Sequence, residues 1–244
     1  MQSTQPSWLQ PAQPELELVL VRHGYTQWNQ ERRYVGRTDV PLAQGEAERL
    51  DKLRTQPPLT GEFCRVYCSD LRRCRETLTA LIPNLEPKAR YDARLLEMDF
   101  GAWEGCTYDQ LKDNPLYRSW IDNPEAATPP GGEAWAQFAA RVDDFWTELQ
   151  QEAEASVVAE TAYPADLSTE ACSPEAALLK PNEHQNPVIF RVMLVTHGGV
   201  IRQLLAQIVE GVTFYTAAAP APGEVTVLRL RRERGNWRMA EKEG

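Results

Sequence analysis

Short apolar runs alternate along the chain with longer stretches in which apolar residues recur at every third or fourth position. The runs at 16–22 and 188–196 are rich in Val and Leu and too short for helices, so they predict buried strands. Shorter patterns predict three further strands, at 65–68, 91–96 and 224–231. Gly235 and Asn236 then predict a hairpin turn into a last strand at 237–240.

Helical spacing is clearest at 135–153, where one face carries the apolar residues Phe138, Val142, Phe145, Trp146 and Leu149. These residues and Trp135 are assigned to the core. Shorter helices are predicted from near residue 44 to 53, at 71–81 before Pro83, and at 200–209. Because strands alternate with helices, the expected fold is α/β, a three-layer α/β/α sandwich with a mostly parallel central sheet.

A length of 244 residues suffices for one large domain with a full-sized core. Residues 1–14 are polar and rich in Gln and Pro, which predicts a flexible N-terminal tail. The remainder, 15–244, is predicted to be a single domain. Within it, 151–187 holds seven acidic residues against one lysine, with four prolines and many alanines, and is predicted to be an exposed insertion or linker.

Composition narrows the classes of function. The formal net charge of −9 at pH 7 argues against binding to nucleic acids or anionic membranes. No apolar run approaches the roughly 20 residues of a membrane span, and the N-terminus lacks the pattern of a secretion signal. Five cysteines without a C-x-x-C pair favour reduced thiols over a disulfide framework or a zinc site. We therefore expect a cytoplasmic protein that uses no metal and no other cofactor.

Two of the three histidines stand in matching positions. His23 follows the predicted strand at 16–22, His197 follows the one at 188–196, and a glycine comes after each. Ligands of α/β sheets bind beyond the carboxyl ends of the strands. If the two strands are neighbours, both imidazoles face one crevice. The third histidine, His184, lies in the acidic segment without a motif and is expected to face solvent.

An acidic protein that binds a phosphate monoester needs a local cluster of cations and backbone N–H donors. Arg22 stands beside His23, and Gly24 allows close approach of the backbone. The sequence S-D-L-R-R-C-R-E-T at 69–77 offers more arginines where a strand passes into a helix. The glycines after His197 offer free N–H groups at the start of another helix.

Histidine also suits the chemistry of phosphoryl transfer. A neutral imidazole attacks phosphorus without first losing a proton, and the phosphohistidine that forms is labile, so that one difficult step becomes two easier ones. The leaving alkoxide needs a proton from a carboxylic acid whose pKa burial and phosphate charge would raise. From the residues alone, Glu97, Asp99 and Glu104 are all candidates for this acid.

Five blocks of the sequence resemble, in the same order, those of the histidine phosphatase superfamily, in the branch that includes phosphoglycerate mutases and small-molecule phosphatases. They are R-H-G-Y-T-Q-W-N at 22–29, G-R-T-D-V-P-L at 36–42, S-D-L-R-R-C-R-E-T at 69–77, E-M-D-F-G-A-W-E-G at 97–105 and T-H-G-G-V-I-R at 196–202. The five blocks are spread over nearly all of the chain except the tail and the 151–187 segment. It implies a phosphoglycerate mutase-like fold and catalysis without a metal.

The resemblance implies roles for five catalytic residues. His23 matches the nucleophile that becomes phosphorylated, and Arg22 matches its phosphate-binding neighbour. The second arginine of the family falls on Arg73. Glu97 matches the proton donor, and His197 matches the histidine that stabilises the transferring phosphoryl group.

Other matching positions concern binding. Asn29 matches an amide that contacts a phosphoryl oxygen, Thr26 supports its loop, and Gly198 matches a backbone N–H donor. Arg37 is a candidate substrate-binding residue, with a surface arginine in a turn as the alternative. Trp103 is expected to pack in the core, with the pocket mouth as the alternative.

The implied activity is hydrolysis of a small-molecule phosphate ester. The blocks F-G-A-W-E-G and P-P-G-G-E and the short stretch 114–127 resemble the phosphatases more than the mutases, and α-ribazole phosphatases most of all. Broad activity on sugar phosphates is a second substrate class. A cofactor-dependent phosphoglycerate mutase and a non-catalytic regulatory protein on the same fold are the alternatives. The sequence does not decide between a monomer and a homodimer.

Overall fold

The computed structural model of the chain describes residues 14–162, 189–233 and 236–240. The strands within them are β1 (Glu15–Arg22), β2 (Arg65–Cys68), β3 (Arg90–Tyr91), β4 (Ile189–Thr196), β5 (Val225–Glu233) and β6 (Asn236–Met239). The helices are α1 (Gln27–Gln30), α2 (Glu46–Asp51), α3 (Arg72–Leu81), α4 (Tyr108–Leu111), α5 (Pro115–Asp122), α6 (Trp135–Ala162) and α7 (Gly198–Ile208). None of the helices in these ranges combines the length and the apolar character that a membrane span requires.

The strands form one mixed sheet in the order β3-β2-β4-β1-β5-β6. The pairs β3–β2, β2–β4 and β4–β1 are parallel, whereas β5 pairs antiparallel with both β1 and β6. Of the predicted hairpin turn, Gly235 lies outside the described residues and Asn236 begins β6. Helices cover both faces, which confirms the expected three-layer α/β/α sandwich with a mostly parallel sheet. β1 and β4 are neighbours in register, with Arg22 opposite Thr196.

Strand β1 is apolar on both faces because both faces are covered by helices. Leu16, Leu18 and Leu20 pack in the cluster that contains α6 and α7, while Val19 and Val21 pack in the cluster that contains α2 and α3. Each such buried side chain stabilises the fold by about 1.5–3 kcal/mol relative to exposure. The central strands therefore provide a rigid base for the residues at their carboxyl ends.

The longest helix differs from the sequence prediction at its C-terminal end. The five apolar residues predicted for one face of α6 are all buried. The helix does not stop at Ala153, however, but continues to Ala162. The first part of the predicted 151–187 insertion is therefore helix, and the rest of it, including His184, lies outside the described residues, as does the predicted tail except for residue 14.

Side-chain contacts explain why α6 continues. Ala153 is completely buried. The Glu152 carboxylate accepts a hydrogen bond from the Tyr67 hydroxyl at 2.6 Å and pairs with Arg90 at 2.8 Å. Glu154 pairs with Arg232 at 2.9 Å. Alanine and glutamate also favour helix over other conformations. Two of the acidic residues of this stretch thus form ion pairs with arginines of the sheet.

The strand predicted at 91–96 is wrong for most of its length. Only Arg90 and Tyr91 pair in β3, and a 3₁₀ turn at Ala93–Leu95 follows. The Asp92 side chain accepts a hydrogen bond from the backbone N–H of Arg94 at 2.8 Å and pairs with the Arg94 guanidinium at 2.6 Å. A carboxylate that caps a turn in this way competes with continued strand pairing.

Candidate active site

A cavity of about 490 Å³ opens at the carboxyl ends of β1 and β4. Five of its lining residues were predicted to be functional: Arg22, His23, Asn29, Glu97 and Gly198. The rings of His23 and His197 lie side by side, with 5.1 Å between their centroids. The pairing of β1 with β4 explains this proximity, because each histidine directly follows one of two adjacent parallel strands.

His23 is held in one tautomer. Its Nδ1 lies 2.8 Å from the backbone oxygen of Gly24. Burial lowers the pKa of His23 well below its ordinary value of 6.5, and the positive charge of Arg73 lowers the pKa further. The ring is therefore neutral at pH 7, and its one proton sits on Nδ1, where an acceptor is present. Nε2 keeps its lone pair for a nucleophilic role.

Side chains from other elements fix the loop that follows His23. The backbone N–H of Gly24 donates to Oγ1 of Thr77 at 2.9 Å. Thr26 caps α1, and its N–H and hydroxyl both donate to Oδ1 of Asn29, at 3.0 and 2.9 Å. Because Oδ1 is occupied, the NH₂ group of Asn29 is the part of the amide that is available to the cavity. Thr26 thus supports the orientation of Asn29.

His197 is also buried and neutral. It occupies the N-cap position of α7, and Nε2 lies 2.7 Å from Oγ of Ser69 and 3.5 Å from Sγ of Cys74. Burial lowers the pKa of His197 well below 6.5, followed by the charge of Arg73. Burial likewise raises the pKa of Cys74 to about 12, so its thiol stays protonated at neutral pH. Cys74 packs against the imidazole and has none of the thiolate character that a nucleophile needs.

Two arginines bring positive charge to the histidines, Arg73 as a completely buried side chain and Arg22 as a half-buried one. Arg22 donates from Nη1 to the backbone oxygen of Pro220 at 3.0 Å. Arg73 is completely buried and donates to the backbone oxygens of Thr38 and Gly36, at 3.0 and 2.6 Å. Burial lowers the pKa of both guanidinium groups. Within the described residues the Nε–H of each is buried without an acceptor, as expected of a site built for an anion.

Among the three candidate acids, Glu97 is the one that lines the cavity. Its Oε2 accepts the backbone N–H of Gly199 at 3.0 Å, and its Oε1 accepts that of Met98 at 3.0 Å. Asp99 instead accepts the N–H of Gly101 at 2.8 Å. Glu104 accepts the backbone N–H groups of residues 37 and 38, both at 2.7 Å. Asp99 and Glu104 therefore stabilise loops through backbone hydrogen bonds, and neither lines the cavity.

The other arginines divide into surface and cavity residues. Arg37 is 40% exposed, pairs with Glu133 at 3.2 Å and is not among the cavity-lining residues. Arg33 and Arg202, for which the sequence predicts no role, line the cavity with Arg22. The position of Arg202 could have been predicted from the sequence, because it stands four residues after Gly198 and therefore lies on the same face of α7. Arg33 carried no comparable signal.

Seven aromatic side chains line the cavity, and we call them together the aromatic wall: Tyr34, Phe100, Trp120, Trp135, Phe138, Phe214 and Tyr215. Trp135 was predicted to be a core residue, but it is half-buried and stacks with Tyr215, with 6.1 Å between ring centroids. Trp103, in contrast, is buried in a separate cluster around Tyr117. In the described part of the chain, no group of three or more His, Cys, Asp and Glu side chains is arranged to hold a metal ion.

Known proteins share this sequence pattern. A family model described as histidine phosphatase superfamily (branch 1) matches residues 18–162. The adenosylcobalamin/alpha-ribazole phosphatase of Salmonella typhimurium is 33% identical over 139 residues, which are 55% of this chain and 67% of that protein. Fructose-2,6-bisphosphatase TIGAR of Xenopus laevis is 30% identical over 214 residues, 81% of this chain and 76% of that protein. A bifunctional protein of Mycobacterium tuberculosis is 32% identical over 57% of this chain, a match that spans only 38% of the mycobacterial protein.

Solved structures share the fold. A putative alpha-ribazole-5'-P phosphatase from Escherichia coli superposes with a TM-score of 0.68 at 22% identity, over 92% of this chain and 95% of that one. The protein TTHB049 from Thermus thermophilus gives a TM-score of 0.57 at 26% identity, over 87% of this chain and 92% of that one. The family match covers more than half of the chain and contains Arg22, His23, Arg73 and Glu97. The chain therefore belongs to the histidine phosphatase superfamily (branch 1).

Proposed function

We propose that the protein is a metal-independent phosphatase that hydrolyses a small-molecule phosphate monoester through a phosphohistidine at His23. The observation that carries the proposal is the state of His23. This ring is neutral and has its proton on Nδ1 directed at Gly24, so the Nε2 lone pair is available for attack. The ring lies beside Arg73, which is completely buried, and Arg22, which is half-buried. Within the described residues neither guanidinium forms a salt bridge, and a nucleophilic lone pair next to such positive charge suits attack on a phosphoryl dianion.

In the first step, the Nε2 lone pair of His23 forms the N–P bond. The P–O bond to the leaving group breaks, and its electron pair stays on the leaving oxygen. Glu97, as a carboxylic acid, donates its proton to that oxygen. In the second step, water attacks phosphorus while the Glu97 carboxylate accepts a proton, the N–P bond breaks, and His23 regains its lone pair. Residues that bind the phosphoryl oxygens in both steps are Arg22, Arg73, Asn29, His197 and the N–H of Gly198.

The aromatic wall favours a leaving group that carries a planar ring. Rings that stack or meet edge to face stabilise one another by about 0.5–1.5 kcal/mol beyond the area they bury, and a sugar alone offers no such ring. One relative is named an alpha-ribazole phosphatase, and another a fructose-2,6-bisphosphatase. We therefore place α-ribazole 5'-phosphate first among substrates, with sugar phosphates as the second class.

The test is hydrolysis of p-nitrophenyl phosphate in excess EDTA, by the wild type and by His23→Ala. Turnover by the wild type and loss of turnover in the variant are expected. An inactive wild type, or a variant as active as the wild type on every phosphoester, would show that the phosphatase proposal is wrong. Comparison of kcat/KM for α-ribazole 5'-phosphate and fructose 2,6-bisphosphate then decides the substrate class.

The mutase alternative is kept because a relative named probable phosphoglycerate mutase GpmB, from Salmonella choleraesuis, is 32% identical over 52% of this chain. A mutase must keep water away from the phosphohistidine, whereas a phosphatase admits it. Incubation with 3-phosphoglycerate and 2,3-bisphosphoglycerate separates the two. Isomerisation faster than phosphate release would favour the mutase.

A further inference from the structure

A second carboxylate, which the reaction above does not use, lies beneath the loop that follows His23. Glu46 stands in the first turn of α2 and is buried. Its Oε1 accepts a hydrogen bond from the backbone N–H of Tyr25 at 2.8 Å. Both of its oxygens also pair with Arg49, at 2.7 and 2.8 Å.

One peptide group connects this carboxylate to the nucleophile. The peptide between Gly24 and Tyr25 accepts the His23 Nδ1–H at its oxygen, at 2.8 Å. The same peptide donates its N–H to Glu46. Imidazole, peptide and carboxylate thus form a continuous chain of two hydrogen bonds, which we call the relay. Hydrogen bonds in such a chain polarise one another, so a negative charge at the N–H end makes the carbonyl oxygen a stronger acceptor.

We propose that Glu46 is a positioning residue that stabilises, through the Gly24–Tyr25 peptide, the positive charge that His23 gains when it is phosphorylated; this rests on the proposed function. As the N–P bond forms, the Nε2 lone pair is used and the ring, still protonated on Nδ1, becomes cationic. The polarised carbonyl then faces a charged donor instead of a neutral one. Charge-assisted hydrogen bonds are roughly twice as strong as neutral ones.

Arg49 does not cancel this effect. Its side chain is 44% exposed, whereas that of Glu46 is 7% exposed. Water therefore screens the guanidinium charge more than the carboxylate charge. The carboxylate is also the closer of the two to the reacting ring, because it bonds directly to the peptide that accepts from His23.

The packing around Gly24 supports the same inference. A Cβ atom on residue 24 would lie 2.6 Å from Oε1 of Glu46 and 2.9 Å from its Cγ. Any larger residue would therefore push Glu46 away from the N–H of Tyr25. The glycine that follows the nucleophile thus makes room for the carboxylate as well as for the phosphate.

The test measures the two half-reactions separately by rapid quench with ³²P-labelled substrate. Glu46→Gln keeps an oxygen that accepts from Tyr25 but removes the negative charge. Formation of the phosphohistidine should slow by about tenfold, which corresponds to about 1.4 kcal/mol. Hydrolysis of the phosphohistidine should stay equal or become faster, because the cationic ring has lost stabilisation. Equal slowing of both steps would indicate general damage to the site and would overturn the proposal.

A matched control is Glu76→Gln. Glu76 also accepts one backbone N–H, that of Leu42 at 2.8 Å, and also pairs with one arginine, Arg72 at 2.6 Å. It does not contact the Gly24–Tyr25 peptide. Both half-reactions should therefore match the wild type in this variant. If Glu76→Gln reproduces the effect of Glu46→Gln, the relay is wrong.

A second variant covers the case in which Glu46→Gln fails to fold. Arg49→Gln keeps an N–H donor for Glu46 but removes the neutralising charge, so formation of the phosphohistidine should be at least as fast as in the wild type. A slower formation step in Arg49→Gln would contradict the relay.

A readout that does not need turnover separates this proposal from the proposed function. If the wild type forms no phosphohistidine, the proposed function fails, and the relay is then decided by NMR of ¹⁵N-labelled histidine. The Nδ1–H proton of His23 should shift upfield in Glu46→Gln and stay in place in Glu76→Gln. An unchanged resonance in Glu46→Gln would overturn the relay.

Discussion

The backbone N–H of Gly199 donates to Oε2 of Glu97 at 3.0 Å, so the first turn of α7 holds the carboxyl group that faces the cavity. A Cβ atom on residue 199 would overlap Oε1 of the same carboxyl group. The blocks 97–105 and 196–202, which lie about a hundred residues apart in the sequence, thus pack against each other at this contact. The position of the proposed acid depends on a glycine that takes no part in the chemistry.

Gly199→Ala is expected to displace Glu97 while leaving the fold intact, because alanine favours helix over glycine by about 1 kcal/mol. Loss of a positioned general acid slows proton transfer by on the order of a hundredfold. Turnover of alkyl phosphates should fall by that factor, and turnover of p-nitrophenyl phosphate should change little, since p-nitrophenolate leaves without a proton. Steady-state kinetics on both substrates check this. Equal loss on both would mean that the substitution damages phosphate binding instead.

Glu97→Gln is expected to show the same dependence on the leaving group without any steric change. Asp99→Asn is the matched control, because its amide oxygen still accepts the N–H of Gly101 and because Asp99 does not line the cavity. We expect a loss on alkyl phosphates of on the order of a hundredfold for Glu97→Gln only. A comparable loss in Asp99→Asn would move the role of proton donor away from Glu97.

The proximity of the two histidines could be predicted from the sequence, because it depends on the positions of two strand ends. His23 and His197 each follow a strongly apolar strand, and adjacent parallel strands bring their carboxyl ends together. The choice of Arg73 over its neighbours came from the family resemblance, and in the structure Arg73 is completely buried. Arg72 and Arg75 pair with Glu76 and Asp70 on the surface, at 2.6 and 2.9 Å.

The wall of the cavity could not be predicted in the same way. Trp135 and Phe138 both lie in the first turns of α6, and their helical spacing predicts core positions for both. Phe138 is completely buried as predicted, but a ring that borders a pocket has the same helical spacing as a ring in the core, so the spacing could not show that both rings border the cavity. Phe214 and Tyr215 lie between α7 and β5, where no periodic pattern marks them. Their function depends on long-range placement. Glu152 and Glu154 were predicted to lie in a linker for the same reason, because their arginine partners on the sheet are distant in the sequence.

The two buried histidines make stability depend on pH. Burial and then the charge of Arg73 lower the pKa of His23 and of His197 well below 6.5 in the folded protein. Below about pH 6.5 the unfolded chain takes up protons on both rings and the folded protein does not. The free energy of unfolding should therefore fall as the pH decreases, by up to about 1.4 kcal/mol per pH unit for each ring.

Urea unfolding from about pH 7.5 to about pH 5 measures this slope. His23→Gln removes one of the two rings, so its free energy of unfolding should fall less steeply than that of the wild type, by up to about 1.4 kcal/mol per pH unit. Carboxylates contribute equally to both proteins and cancel in the comparison. Identical slopes would mean that His23 titrates in the folded protein much as it does in the unfolded chain.

Tyr215 offers the cleanest test of the aromatic wall. Its side chain is 55% exposed, so its removal should cost little stability, yet it lines the cavity and stacks with Trp135. Tyr215→Ala should raise KM for α-ribazole 5'-phosphate by about three- to tenfold, the effect of losing one aromatic contact. KM for a compact sugar phosphate should stay unchanged. The matched control is Tyr108→Ala, because Tyr108 is 50% exposed and does not line the cavity. If Tyr215→Ala raises KM equally for both substrates, the wall does not select a planar leaving group, and sugar phosphates become the favoured substrate class.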